Sequence, residues 1–148
     1  MIKKITLIVL FLSLTSCGYQ SIYSSNKQSD YKNFNQIEME GNKSLNRKIF
    51  SLLNLNETTD SIYDLKIKSE KNNFVEAKDK AGNPSVYNFQ IKTEIYILKN
   101  KIIFKKKQFE ENFNYSKTGN NFDLLQYQNN IEKNLIDKIT DNIIIFLN

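Results

Sequence analysis

Four short stretches carry side chains whose type and spacing could do chemistry. Cys17 is the only cysteine and directly follows Leu14-Thr15-Ser16. Its thiol can carry a diacylglycerol thioether, and the small residues Thr15 and Ser16 open the preceding bond to a peptidase. Upstream lie Lys3, Lys4 and the apolar run Ile5–Leu12, which is too short to span a bilayer as a permanent helix. Lys105-Lys106-Lys107, between Phe104 and Phe109, is the densest basic run, and its ammonium groups act as point charges. Glu110-Glu111 is the nearest approach to a carboxylate pair of the glycoside-hydrolysing kind. Adjacent residues on a strand face opposite ways, however, so nothing marks these two as a catalytic pair. Ala81-Gly82-Asn83-Pro84, which holds the only proline, is the clearest turn signal in the chain.

The missing residues matter as much. The chain has no histidine, and acylation of Cys17 would leave no thiol for a disulfide or a metal. The usual general base, the thiol nucleophile and most transition-metal ligands are therefore absent. No Gly-rich phosphate loop and no G-x-S-x-G elbow occurs. The expectation is a protein that is not an enzyme, with no cofactor and no metal. The formal net charge is +5, to which Lys3 and Lys4 contribute. Arg47 is the only arginine, while Lys, Asn and Ile are abundant. AT-rich codons inflate those three residues without selection for charge, which weakens any argument from lysine clusters.

The elements that must position these residues follow from periodicity. Residues 1–16 read as a signal peptide, 17–30 as a polar tether and 31–148 as one domain. Partial alternation over Phe34–Glu40 predicts a short strand. Gly41 breaks it, and Asn42 can cap a helix from about Lys43 to Leu53, with Leu45, Ile49, Leu52 and Leu53 at helical spacing. Asn54–Ser61 is polar and closes that helix. Tyr63, Leu65 and Ile67 alternate with Asp64, Lys66 and Lys68, as a strand with one wet face requires. The pattern blurs at Lys71-Asn72-Asn73, where a bulge or bend is expected. Tyr87–Ile97 alternates most clearly, and a further strand runs from Ile102 to Tyr115 with a bulge between Phe104 and Phe109. From about Asp123 the period turns helical. Leu124, Tyr127, Ile131, Leu135, Ile139, Ile143 and Phe146 form one stripe, widened by Leu125, Ile136 and Leu147. The fold class expected is α+β: a mainly antiparallel four-stranded sheet with two helices packed on one face, in the order β-α-β-β-β-α.

The start of the chain resembles a bacterial lipoprotein signal, with the mature protein beginning at an acylated Cys17. The other reading is an ordinary secretory signal with an incidental cysteine. Beyond that start, the chain resembles the LPS-assembly lipoprotein family, the LptE type, in a divergent form. Cys17-Gly18-Tyr19-Gln20-Ser21-Ile22-Tyr23 is similar to that family's Cys-Gly-Phe-x-Pro-Leu-Tyr start, with Ser21 in place of the usual proline. The Leu-Asn-Arg-Lys helix near residue 45, the Tyr-Asp-Leu-Lys-Ile strand from Tyr63, the strand from Tyr87 to Leu98 and the final helix behind Phe113-Asn114-Tyr115-Ser116 fit in the same order.

The resemblance implies an outer-membrane lipoprotein that partners and plugs an LptD-type β-barrel and helps deliver lipopolysaccharide to the cell surface. Gly18 rather than Asp after the lipidated residue is similar to signals sorted to the outer membrane. The family has no catalytic residue to carry over, so Cys17, as lipidation site, is the only one transferred. Under this resemblance Lys105, Lys106 and Lys107 could contact lipid A phosphates; the competing reading is a solvated strand end. Gly82, Asn83 and Pro84 could insert into the barrel lumen, or form an ordinary turn. Ile131, Leu135, Ile139 and Ile143 read as core rather than as a ligand groove. A nucleic-acid partner is excluded by compartment. The alternative function is a free-standing envelope lipoprotein that binds a lipid or has a structural role.

Overall fold

The computed structural model describes residues 33–116 and 121–148. The expected signal peptide, the tether and Cys17 lie outside the described residues. Alternation of apolar and polar residues builds three long strands: β4 (Tyr63–Lys78), β5 (Pro84–Lys99) and β6 (Ile102–Ser116). They pair antiparallel in sequence order, joined by the turns at 79–83 and 100–101. Asn100 and Lys101 both take positive φ, as a tight two-residue hairpin turn of the mirror-image type requires.

The predicted Phe34–Glu40 strand is two pieces. β1 (Asn33–Phe34) and β2 (Ile37–Gly41) are separated at Asn35–Gln36. There the backbone bonds sideways to β4, with Asn35 N–H donating to the Tyr63 carbonyl at 2.7 Å and Leu65 N–H donating to that of Gln36 at 2.9 Å. β2 runs parallel to β4, from Ile37 opposite Leu65 to Gly41 opposite Ser69. The sheet order is β2-β4-β5-β6, so the sheet is antiparallel except at this one edge. β1 pairs instead with β3 (Asn56–Glu57), in a segment the sequence presents only as a polar linker.

α1 (Lys43–Leu53) starts where expected: the Asn42 side chain accepts from Leu45 N–H at 3.0 Å. It supplies the crossover that a parallel pair needs between β2 and β4. Asn54, in the left-handed region, ends it. Gly41 has φ of +78°, and a Cβ there would collide with the Ser69 carbonyl oxygen, so glycine is the residue that lets β2 turn into α1. α2 (Asn121–Leu147) lies over β5 and β6 and meets α1.

Both helices cover the same sheet face. Leu65, Ile67, Ile91, Ile95 and Ile97 from the sheet meet Leu45 and Ile49 of α1 and the α2 stripe Ile131, Leu135, Ile139 and Ile143. That stripe is core, as its spacing implied. At its N-terminal end Leu125 and Tyr127 are exposed, so the expected stripe is wider than the face that is buried. Two irregularities fall away from where the pattern suggested them. Pairing runs unbroken through Lys71-Asn72-Asn73, and the register shift comes between Val75 and Ala77. In β6 the pairing steps from Ile103 to Lys105, which leaves Phe104 as the extra residue at the start of the predicted interval.

Candidate functional site

The face of the sheet without helices is the surface the fold leaves open. Its residues come from alternate positions of all four strands, and the register sets them in rows. One row reads Glu38, Lys66, Tyr96, Lys106; the next reads Glu40, Lys68, Glu94, Gln108; a third reads Glu70, Lys92, Glu110. Opposite charges therefore stand side by side, the arrangement that stabilises neighbouring strands. Lys66 pairs with Glu40, and more loosely with Glu38 at 3.9 Å. Lys106 reaches Glu94 at 3.0 Å and lies over the Tyr96 ring, whose hydroxyl bonds the same carboxylate. Lys92 meets Glu110 at 3.6 Å, and Gln90 donates to Glu110 at 2.7 Å.

The titration shifts follow from those contacts. The Tyr96 hydroxyl and then Lys106 hold the Glu94 carboxyl below its ordinary value. The bond to Glu40 raises the Lys66 ammonium. The bonds to Tyr96 and Glu94 raise Lys106. These groups stay charged over the physiological range. The result is a wet, mutually neutralised lattice with many donors and acceptors and little free charge.

Beyond this lattice the β4–β5 hairpin projects. Asp79 organises its tip: its carboxylate accepts from Ala81 N–H at 2.8 Å and from Asn83 N–H at 2.9 Å, and its backbone exchanges bonds with Gly82 and Asn83. The hydrogen bond from the Asn83 backbone is the main cause of the lowered pKa of Asp79. Gly82 takes a φ of +86° with open space around it. Gly82 and Asn83 thus form the exposed tip, while Pro84 is the first residue of β5. Sequence reasoning named these three and missed Asp79. An Asp ahead of Gly-Asn is a side-chain-stabilised turn signature and could have revealed it.

The lysine run does not form one patch. Strand alternation puts Lys106 on the open face and its two neighbours on the other. Lys105 lies 5.0 Å from the centroid of Phe146 on α2, and Lys107 lies 5.2 Å from that of Phe109. Glu110 and Glu111 likewise part, Glu110 joining the open lattice and Glu111 facing away. Among the described residues no group of three His, Cys, Asp or Glu side chains could hold a metal ion, and no helix is long and apolar enough to cross a membrane.

No protein-family model matches the chain, and no curated protein matches it in sequence. Solved structures do match in fold. The crystal structure of rare lipoprotein B from Shewanella oneidensis aligns with a TM-score of 0.55 at 15% identity, over 76% of this chain and 93% of that one. The solution structure of an uncharacterized lipoprotein B from Nitrosomonas europaea aligns with a TM-score of 0.59 at 5% identity, over 77% of this chain and 83% of that one. At such identities the likeness is one of architecture. The chain has the α+β fold, with two helices on a four-stranded sheet, that these bacterial lipoproteins carry.

Proposed function

We propose that this chain is a lipid-anchored, non-enzymatic lipoprotein of the outer membrane, acylated at Cys17, which partners and plugs an LptD-type β-barrel in lipopolysaccharide assembly. The observation that carries the reading is the open sheet face. It is polar, its charges are paired within the chain, and it ends in a hairpin whose tip is organised by Asp79. A dry obligate interface is depleted of charge at its centre, whereas a hydrated barrel lumen accommodates paired charges and amides. The signal-like start and the likeness in fold to rare lipoprotein B support the same reading. Contact between lipopolysaccharide phosphates and Lys105, Lys106 and Lys107 would have to be made from two sides of β6 rather than from one patch.

Photocrosslinkers placed at Asn83 and Gln90 in cells test the partner. Both are expected to trap a barrel protein, while one at Ile139, which is fully buried, is not. Normal expression with no barrel trapped from either Asn83 or Gln90 would overturn the reading in favour of a free-standing envelope lipoprotein.

A further inference from the structure

The two ends of the sheet differ in chemistry. At the end opposite the Asp79 hairpin, β6 opens just past its turn with Ile102, Ile103 and Phe104, which are 72%, 56% and 52% exposed. Ile62, which precedes the Phe104 neighbour Tyr63, is exposed as well. Phe104 leans on Tyr63, with ring centroids 5.7 Å apart, which fixes the direction of the tip. A tip of large aliphatic and aromatic residues facing water costs solvation free energy and marks a surface that something else covers. Lysines flank it in the chain: Lys99 at the end of β5, Lys101 in the turn, and Lys105, Lys106 and Lys107 along β6. The Lys99 ammonium lies 5.9 Å from the centroid of the Tyr63 ring and that of Lys107 lies 5.2 Å from that of Phe109, so positive charge stands directly against aromatic faces at this end of the sheet. The bulge at Phe104 re-aims this part of the strand out of the regular pleat.

The position of the chain start says what covers the tip. Asn33 precedes the backbone bond from Asn35 to Tyr63, and Tyr63 pairs with Lys99, which pairs with Ile102. The segment leading back to Cys17 therefore leaves the domain at the apolar, lysine-rimmed end. β5 alone separates this end from the Asp79 hairpin by roughly 50 Å, at about 3.3 Å per residue. The segment from Cys17 to Asn33 would have to be almost fully stretched to bring the far end to an anchoring bilayer, so the near end meets it at much lower conformational cost.

We propose that residues 99–104, with Ile62, form a second membrane contact: an interfacial tip that inserts Ile102, Ile103 and Phe104 at the headgroup–acyl boundary of an anionic phospholipid surface, with the lysines at its phosphates. This rests on the lipid-anchor reading above and adds to it an orientation. One end of the sheet lies on the leaflet that holds the anchor, and the Asp79 hairpin points away from it. Apolar burial and attraction to anionic headgroups act together at such a surface.

The chain's single cysteine makes the test direct, because acylation occupies Cys17 and an introduced cysteine becomes the only free thiol. The full chain, purified in acylated form with Ile103→Cys, carries an environment-sensitive fluorophore, and a second preparation carries it at Lys80→Cys. Both positions are exposed, so neither change should disturb folding. The proteins are reconstituted into vesicles of phosphatidylethanolamine and phosphatidylglycerol, or of phosphatidylcholine alone, containing nitroxide-labelled lipid. The expected result is blue-shifted emission, and quenching at least about twofold stronger at 103 than at 80, with a smaller effect in phosphatidylcholine. Joint replacement of Lys99 and Lys101 by Gln should reduce the difference between the two lipid compositions. Flotation of the protein with vesicles, but equal quenching at 103 and 80, keeps the anchor and overturns the tip. Failure to float overturns both. Shielding of position 103 only on addition of a barrel protein also overturns the proposal.

Discussion

β4 is one unbroken strand with two characters. From Tyr63 to Ser69 every second residue is buried or half-buried under α1 and α2; from Glu70 to Lys78 every residue is exposed. Its pairing with β5 is the same in both halves as far as Val75. The difference is what lies beside and above it. β2 ends at Gly41 opposite Ser69, and the chain leaves the sheet there to become α1. Past that row β4 has no second strand neighbour among the described residues, and its helix-side residues Lys71 and Asn73 bond polar partners instead: Lys71 to Glu132 on α2, and Asn73 to the Tyr115 hydroxyl. Strand length is thus set by the hairpin partner, and core position by cover from the helices. The covered half carries the stability, and the projecting half is available for contact.

The largest effect that would break this contrast comes from the covered half. Ile131 is buried where α2 lies on the sheet. Ile131→Asp should cost above about 4 kcal/mol or leave the chain unfolded, because an unpaired carboxylate is costly to bury. A circular dichroism melt unchanged from wild type would show that the stripe is not core. A matched pair of glycine substitutions then compares the halves directly. Gly41→Ala should cost about 2–4 kcal/mol, combining left-handed backbone strain with the clash against Ser69. Gly82→Ala meets open space and bears only the backbone term, about 1 kcal/mol, in a hairpin that can adjust locally. Equal losses in urea unfolding of the two variants would mean that the projecting hairpin is as much a part of the cooperative unit as the covered half.

The elements with long, clean periods were legible beforehand. The α2 stripe, the alternation of β5 and the Asn42 cap each rest on local side-chain patterns that the packing then uses. β1 and β3 were not legible, because two-residue strands have no period; they are held by backbone bonds such as Thr58 N–H to the Phe34 carbonyl at 2.8 Å. The continuation of β4 through Lys71-Asn72-Asn73 was obscured for a related reason. These three residues are polar on both sides, and the hairpin with β5 keeps them extended before the apolar Phe74 and Val75. Of the open face, the polar residues were readable but not their partners, since Lys92 meets Glu110 only through the register of β5 and β6. The lysine run looked like one feature in sequence and is divided by the pleat into two.

The smallest effect sharpens the boundary between the two halves. Glu132 sits at it, mostly buried on α2, bonding Lys48 of α1 at 2.6 Å and Lys71 of β4 at 2.8 Å. Burial pushes its carboxyl up, but the hydrogen bonds and charges of the two lysines outweigh this, and its pKa lies below the ordinary value. A carboxyl whose pKa is lower in the folded chain than in the unfolded one stabilises the fold fully above the unfolded value, about 4.3. That contribution is lost as pH falls through the folded value. Glu132→Gln should therefore cost about 1 kcal/mol at pH 7, discounted because both lysines are partly in water. The gap between wild type and variant should narrow as pH is lowered from 7 to below the ordinary carboxyl value of about 4.3. Urea midpoints at the two pH values measure it. A gap that stays constant with pH would mean that Glu132 joins the helices to the projecting strand by packing and not by charge.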